Sequence, residues 1–167
     1  MSILVTFGSK RGGTEELARW VAEGLRDEGF EVDLVPARQA PHVEDHEAVV
    51  VGGALYAMRW HKDARRFVKR HAAQLRQRPT YFFASGPLDD SATKSAIPPV
   101  KGVQALFDEV GAAGHATFGG RLTPDAKGFP ASAMAKKNAG DWRDADQVRT
   151  WVRSIAAELR ARVPHTA

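Results

Sequence analysis

Short apolar runs alternate with helix-period segments along the whole chain, and this alternation constrains the fold more than any other feature of the sequence. The apolar runs end at glycine, proline or a polar residue, as strands buried on both faces do. Between them, apolar residues recur every three or four positions, as on one face of a helix. Strands are predicted over residues 3–7, 30–35, 48–54, 80–84 and 116–122. Helices are predicted over residues 14–29, 64–75, 103–110 and from 144 onwards.

Strands that alternate with helices imply a parallel sheet, because parallel neighbours need long, right-handed crossover connections. The predicted fold class is therefore α/β, with helices on both faces of a five-stranded parallel sheet. Such sheets bind ligands at the carboxyl ends of their strands, near the point where the strand order reverses. The loops after Phe7, Gly53 and Ala84 are therefore the candidate binding loops.

Composition limits both the architecture and the chemistry. The 167 residues, 43% of them apolar, are predicted to form a single domain over 1–167. Cysteine is absent from the sequence, which excludes disulfides, thiolate nucleophiles, Fe–S clusters and cysteine-based zinc sites. The first apolar run has no basic residue ahead of it, unlike a signal peptide, and no run approaches the roughly 18 apolar residues of a membrane helix. We expect a cytoplasmic protein without an integral membrane segment, and peripheral membrane contact stays open.

The formal net charge of +4 raises the question of a nucleic-acid partner. Basic residues are spread along the predicted helices with acidic residues nearby, and no helix-turn-helix or RNA-binding signature is present. We therefore expect solvated helix faces and no nucleic-acid partner, with a mild attraction to anionic substrates.

A glycine-rich loop joins the first predicted strand directly to the first helix. Helix N-termini offer unpaired N–H groups and the positive end of a dipole, and glycines let a phosphate approach the backbone. The loop lacks the lysine of a P-loop and the G-x-G-x-x-G dinucleotide fingerprint. The alternative is a tight turn whose threonine only caps the helix. The predicted phosphate-binding residues are Ser9, Lys10, Arg11, Gly12, Gly13 and Thr14.

Three segments carry a resemblance to a known family. Residues 9–14 resemble the flavodoxin phosphate loop T-x-T-G-x-T, with Arg11 in place of the second threonine. Residues 49–68 and 140–148 are similar to the menaquinone-dependent protoporphyrinogen oxidase branch of the flavodoxin-like superfamily. The resemblance implies a flavodoxin-like three-layer sandwich of strand order 2-1-3-4-5 and noncovalent FMN as the cofactor.

The resemblance also implies which residues hold the flavin. Either Tyr56 or Trp60 would stack on the ring. The turn at residues 85–87 would offer backbone N–H groups to the polar edge of the flavin, although Pro87 has none. Outside the phosphate loop, the implied cofactor-binding residues are Ala54, Leu55, Tyr56, Ala57, Met58, Arg59, Ser85, Gly86, Pro87, Leu88 and Asp89.

Charge near the second loop favours an enzyme over an electron carrier. Flavodoxin-type carriers are strongly acidic, whereas this loop carries Arg59, His61 and Lys62. Positive charge near the ring favours its reduced, anionic form and attracts anionic substrates. We expect an FMN-dependent oxidoreductase of the protoporphyrinogen oxidase type, acting on a small molecule such as a porphyrinogen or a quinone. The alternatives are an electron-transfer carrier and a flavin-free interaction module on the same fold.

Each remaining histidine has a structural interpretation as well as a functional one. His61 is a candidate for proton transfer, and the competing role is to cap a helix. His42 and His46 have metal-ligand spacing only if their segment is helical, and Pro41 favours a solvated loop without metal. His71 lies on an apolar stripe and is expected to be structural. Residues 123–140 correspond to a family insertion thought to touch substrate or membrane; a surface loop is the alternative.

Overall fold

Five parallel strands form the centre of the computed structural model, which describes residues 1–9, 12–39, 41–87, 89–122 and 140–162. Their spatial order is β2-β1-β3-β5-β6, so the first strand lies between the second and third, as predicted. A two-residue strand, β4, pairs antiparallel with the end of β3. The strands are β1 (Ser2–Gly8), β2 (Glu31–Pro36), β3 (Ala48–Tyr56), β4 (Arg59–Trp60), β5 (Thr80–Ser85) and β6 (Gly114–Phe118).

Helices cover both faces of this sheet and complete three layers. Two of them, α1 (Gly12–Asp27) and α6 (Ala145–Arg162), pack against each other on one face. The opposite face is covered by α2 (Lys62–Arg70), α3 (Ala72–Leu75) and α5 (Lys101–Val110). A single-turn helix, α4 (Ser91–Lys94), follows β5. Within the described part of the chain, no helix combines the length and apolarity that crossing a bilayer requires.

Two hydrophobic cores lie on the two faces of the sheet because successive side chains of each strand alternate between them. In β1, Ile3 and Val5 join the core under α1 and α6, whereas Leu4 joins the core under α2 and α5. All three are fully buried. The near-continuous apolar runs of the sequence are thus explained by a sheet that is covered twice.

Two predicted elements differ from the structure. The helix predicted over 64–75 is divided at His71, which ends α2 and precedes α3. The predicted strand 116–122 instead stops at Phe118, and the backbone of Trp142 approaches the next residue, Gly119, so closely that a Cβ there would lie 2.0 Å from the Trp142 carbonyl oxygen. The chain then forms a separate two-stranded ladder of β7 (Arg121–Leu122) and β8 (Gly140–Asp141).

Stability should fall in mild acid because of His115 on β6. Burial lowers the pKa of His115 to about 4, so between pH 6.5 and 4 the unfolded chain binds a proton that the folded chain does not. We expect the free energy of unfolding to drop by about 1 kcal/mol between pH 7 and pH 5, after discounting for solvent screening. Urea titrations at the two pH values measure this drop. It should shrink in His115→Gln but persist in the control His42→Gln, which changes an exposed histidine; an unchanged drop in His115→Gln would contradict the assignment.

Candidate active site at the carboxyl edge of the sheet

The ends of β1, β3 and β5 lie side by side and form what we call the carboxyl edge. Gly8 of β1 is the register partner of Gly53, which is in turn the partner of Ala84 in β5. One position further along, Ala54 is the partner of Ser85. The three loops predicted to bind a ligand therefore start next to one another.

The first loop leads directly into the N-terminus of α1. The first N–H groups of a helix have no intrahelical partner, so those that follow Gly12 are suited to an anion. The hydroxyl of Thr14 is buried and lies 2.5 Å from the hydroxyl of Ser85, which joins this helix to the end of β5. Two hydroxyl groups that share one hydrogen bond keep one O–H to donate elsewhere. The predicted Lys10 and Arg11 lie outside the described residues.

The second loop is a tight hairpin between β3 and β4. Ala57 and Met58 occupy its two central positions with φ of 50° and 63°, the left-handed region that side-chain-bearing residues disfavour. Each such residue costs about 1–2 kcal/mol, and strain of this kind collects at functional sites. Tyr56 and Met58 are 37% and 75% exposed, so the hairpin presents large side chains to solvent beside the carboxyl edge.

Trp60 does not stack on a ligand at this edge. Its side chain is only 2% exposed and folds under the hairpin, where a Cβ at Gly53 would meet its Nε1 at 2.4 Å. The indole N–H donates to the carbonyl of Phe83 at 3.2 Å, and the ring centroid lies 5.0 Å from that of Phe82. Of the two aromatic residues predicted to stack, only Tyr56 is accessible.

Groups of the third loop already form hydrogen bonds within the protein. The Gly86 N–H donates to the carbonyl of Phe118 at 3.2 Å, so it is not free for the flavin edge. The carboxylate of Asp89 accepts from the Ser91 N–H at 2.9 Å, and hydrogen bonding to Ser91 lowers the pKa of Asp89. The predicted Leu88 lies outside the described residues.

His61 starts α2 beside the carboxyl edge and caps it. Its Nδ1 accepts from the Asp63 N–H at 3.1 Å, which puts the proton of the neutral ring on Nε2. A Cβ at Gly8 would meet this Nδ1 at 2.8 Å, so His61 packs directly against the end of β1. His61 therefore has the capping role. The exposed cations of this region are Arg59 and Lys62.

Arg143 is a site residue that the sequence did not single out on its own. Its side chain, 4% exposed, makes a two-pronged hydrogen bond to Asp141, with Nε at 2.9 Å and Nη2 at 2.7 Å. Nη1 lies 3.4 Å from a carboxylate oxygen of Glu16 and 3.5 Å from the carbonyl oxygen of Gly13, and the guanidinium covers the ring of Trp20 at 5.0 Å. Hydrogen bonding to Asp141 raises the pKa of Arg143. Arg143 thus fixes the first turn of α1, where the phosphate loop ends.

Both ring nitrogens of His46 contact other groups of the protein. Residues 41–47 are not helical, as the sequence predicts, but His46 is buried rather than solvated. One ring nitrogen of His46 lies 2.8 Å from a carboxylate oxygen of Asp33, and the other lies 2.8 Å from the carbonyl of His42. Across the described ranges, no cluster of three histidine or acidic side chains is suited to a metal ion.

Comparisons with known proteins bear on this geometry. A family model described as the flavodoxin domain matches residues 4–137. The chain belongs to the flavodoxin domain family. It is 29% identical over 86 residues to protoporphyrinogen IX dehydrogenase (quinone) of Escherichia coli K12, a match that covers 50% of this chain and 48% of that protein. The chain therefore spans about half the length of this relative.

Solved structures agree on the flavodoxin fold. A flavodoxin from the domain Archaea superposes with a TM-score of 0.65 at 15% identity, covering 96% of this chain and 99% of that one. Rubredoxin oxygen:oxidoreductase of Desulfovibrio gigas gives a TM-score of 0.64 at 21% identity and covers 96% of this chain and 36% of that one. Flavodoxin 1 of Bacillus cereus gives 0.58 at 16% identity, with 98% and 100% coverage.

A flavin cofactor, which the family implies, fits the residues at the carboxyl edge. The start of α1 and the hydroxyl pair of Thr14 and Ser85 provide donors for a phosphate. The exposed Tyr56 provides a flat surface for a ring. The close approach of Gly86 to Leu55, where a Cβ would lie 2.9 Å from that of Leu55, keeps the second and third loops together.

The hairpin should depend on the missing side chain at Gly53. We expect Gly53→Ala to lower the free energy of unfolding by about 1–3 kcal/mol, because the new methyl displaces the buried indole of Trp60. The matched control is Gly102→Ala in α5, where a Cβ meets nothing within 4 Å and helix propensity favours alanine. Urea unfolding of both variants measures the difference. Equal stability of the two variants would contradict this packing.

Proposed function

We propose that this protein binds FMN at the carboxyl edge and catalyses the two-electron redox conversion of a small organic substrate, such as a porphyrinogen or a quinone. The observation that carries the proposal is the meeting of three loops: the glycine-rich start of α1 lies beside the turns that follow β3 and β5. An anion-binding helix start next to an exposed aromatic hairpin suits a ligand with a phosphate at one end and a flat ring at the other.

Each loop has a separate part in holding the cofactor. Ser9, the backbone of Gly12 and Gly13, and the Thr14–Ser85 hydroxyl pair would bind the phosphate. Tyr56 and the hairpin would cover the ring, with residues 85–87 and Asp89 on its other side. Bound FMN supplies the redox chemistry, because its ring takes up two electrons. The chain itself binds, orients and sets the charge around the ring.

Charge supports an oxidoreductase over a carrier. Arg59 on β4 and Lys62 at the start of α2 are exposed beside the hairpin, and the whole chain has a net charge of +4. A positive field favours the doubly reduced, anionic ring and attracts substrates with acidic groups. The resemblance to protoporphyrinogen IX dehydrogenase (quinone) supports a porphyrinogen or quinone substrate, over the half of the chain that is aligned.

Flavin binding can be measured by titrating FMN with the protein and following the quenching of flavin fluorescence. We expect saturable binding of FMN and binding of riboflavin, which lacks the phosphate, that is at least about 30-fold weaker, the equivalent of one charged hydrogen bond. Thr14→Val should weaken FMN binding by about 10–30-fold on the same grounds. The matched control is Thr150→Val, an isosteric change on the exposed face of α6.

Two outcomes would contradict the flavin site. Equal affinity for FMN and riboflavin would mean that the helix start does not hold the phosphate. Absence of any flavin binding by the wild-type chain would favour the alternative of an interaction module on the same fold.

Reductive titration of the FMN complex under anaerobic conditions tests the type of reaction. We expect reduction in one two-electron stage, and a midpoint potential that falls by about 10–20 mV in Arg59→Gln, since one exposed charge contributes well under 1 kcal/mol. The control is Arg153→Gln, which removes an equally exposed charge on α6. Two well-separated one-electron stages would instead identify an electron carrier.

A further inference from the structure

A second candidate site lies beside the carboxyl edge, on the face of the sheet that α2 covers. It is a cavity of about 200 Å³ between α2 and the 3₁₀ turn at Ala37–Gln39 that follows β2. Its α2 side consists of residues 63, 66, 67 and 70, which share one helix face by their spacing. We call it the arginine pocket, because its charged lining is dominated by Arg38, Arg66 and Arg70.

The three arginines of this pocket have no paired carboxylate among the described residues. In the described part of the chain, none of their guanidinium groups donates a hydrogen bond or joins an ion pair. Some exposed arginines elsewhere do pair, as Arg160 does with Glu28 at 2.8 Å and Arg149 with Asp146 at 2.9 Å. Three arginines that line one pocket repel one another, and this repulsion favours the binding of an anion.

The remaining lining residues define the kind of ligand. Asp63 is the one carboxylate among the lining residues, so with the three arginines the pocket carries a net charge of about +2. A carboxylate oxygen of Asp63 lies 3.8 Å from Nδ1 of His61. Burial and the charge of Arg70 lower the pKa of His71, which keeps its ring neutral, although Glu44 opposes the shift. The Nε2 of His71 is buried and has no hydrogen-bond partner among the described residues. The buried ring of Phe67 gives the pocket an apolar floor.

We propose that the arginine pocket binds a phosphate group, carried by a small soluble molecule or by a lipid headgroup. Guanidinium forks bind phosphate oxygens in pairs, and a phosphate monoester carries close to two negative charges at neutral pH, which matches the excess of the lining. The site is distinct from the flavin phosphate loop, because it is built on α2 and the turn after β2 rather than on α1. It does not depend on flavin binding.

Titration calorimetry of the full chain with inorganic pyrophosphate tests the pocket. We expect saturable binding whose affinity falls at least about tenfold in the double variant Arg66→Gln/Arg70→Gln. The matched control is Arg19→Gln/Arg153→Gln, which removes the same charge from exposed positions on α1 and α6 and should change the affinity by less than about twofold. Equal losses in the two double variants, or no saturable binding by the wild type, would overturn the proposal.

Two further experiments locate the bound anion and identify the molecule that carries it. Thr14→Val, which removes a hydroxyl at the start of α1, should leave the pyrophosphate affinity unchanged; a loss as large as that in Arg66→Gln/Arg70→Gln would place the anion at the start of α1 and overturn the proposal. Co-sedimentation with phosphatidic acid vesicles, whose headgroup is a phosphate monoester, compared with phosphatidylcholine vesicles, distinguishes a headgroup from a soluble phosphate. Vesicle binding that is lost in Arg66→Gln/Arg70→Gln but kept in the control pair identifies a headgroup as the source, whereas pyrophosphate binding without vesicle binding identifies a soluble phosphate.

Discussion

Two adjacent glycines in the central strand β3 hold the two cores and the hairpin in place. Gly52 leaves room for the ring of Phe83 on the α1 side, where a Cβ would meet the ring at 2.0 Å, and Gly53 leaves room for Trp60 on the α2 side. The chain can bring Trp60 back over Gly53 only by turning sharply after β3, which places two residues in the left-handed region. A strand glycine that marks a close approach of neighbours thus determines the shape of the candidate flavin loop.

Arginines serve opposite purposes on the two sides of the sheet. The side chain of Arg143 is buried, hydrogen-bonded to Asp141 and stacked on the ring of Trp20. It therefore joins β8 to the start of α1. A guanidinium is suited to this because its planar fork can meet a carboxylate and an aromatic face together. Arg66 and Arg70 on α2 are exposed, and neither forms an ion pair with a described residue. The net charge of the chain therefore does not indicate where an anion would meet free positive charge, because that depends on local pairing.

Much of the fold could be predicted from local sequence patterns, and the failures have long-range causes. The alternation of strands with helices and the glycine-rich helix start can be recognised over short windows of sequence. The strand order is instead an expectation from the resemblance to the flavodoxin family. Trp60 could not be assigned from its neighbours, because its burial depends on space at Gly53 and on the carbonyl of Phe83. The hydrogen bond of the Gly86 N–H to Phe118 likewise joins strands whose register no local pattern encodes.

The small ladder of β7 and β8 has a consequence for how this fold can vary. Leu122 and Gly140 are register partners, and the Trp142 N–H donates to the carbonyl of Gly120 at 2.9 Å, so residues 120–122 and 140–142 are held side by side and form a neck. Because the neck is fixed by its own hydrogen bonds, doubling the length of the segment it closes would cost only about 0.6 kcal/mol of closure entropy. The neck is accordingly a natural splice point, where a segment of another length or composition can be grafted without shifting the register of the central sheet.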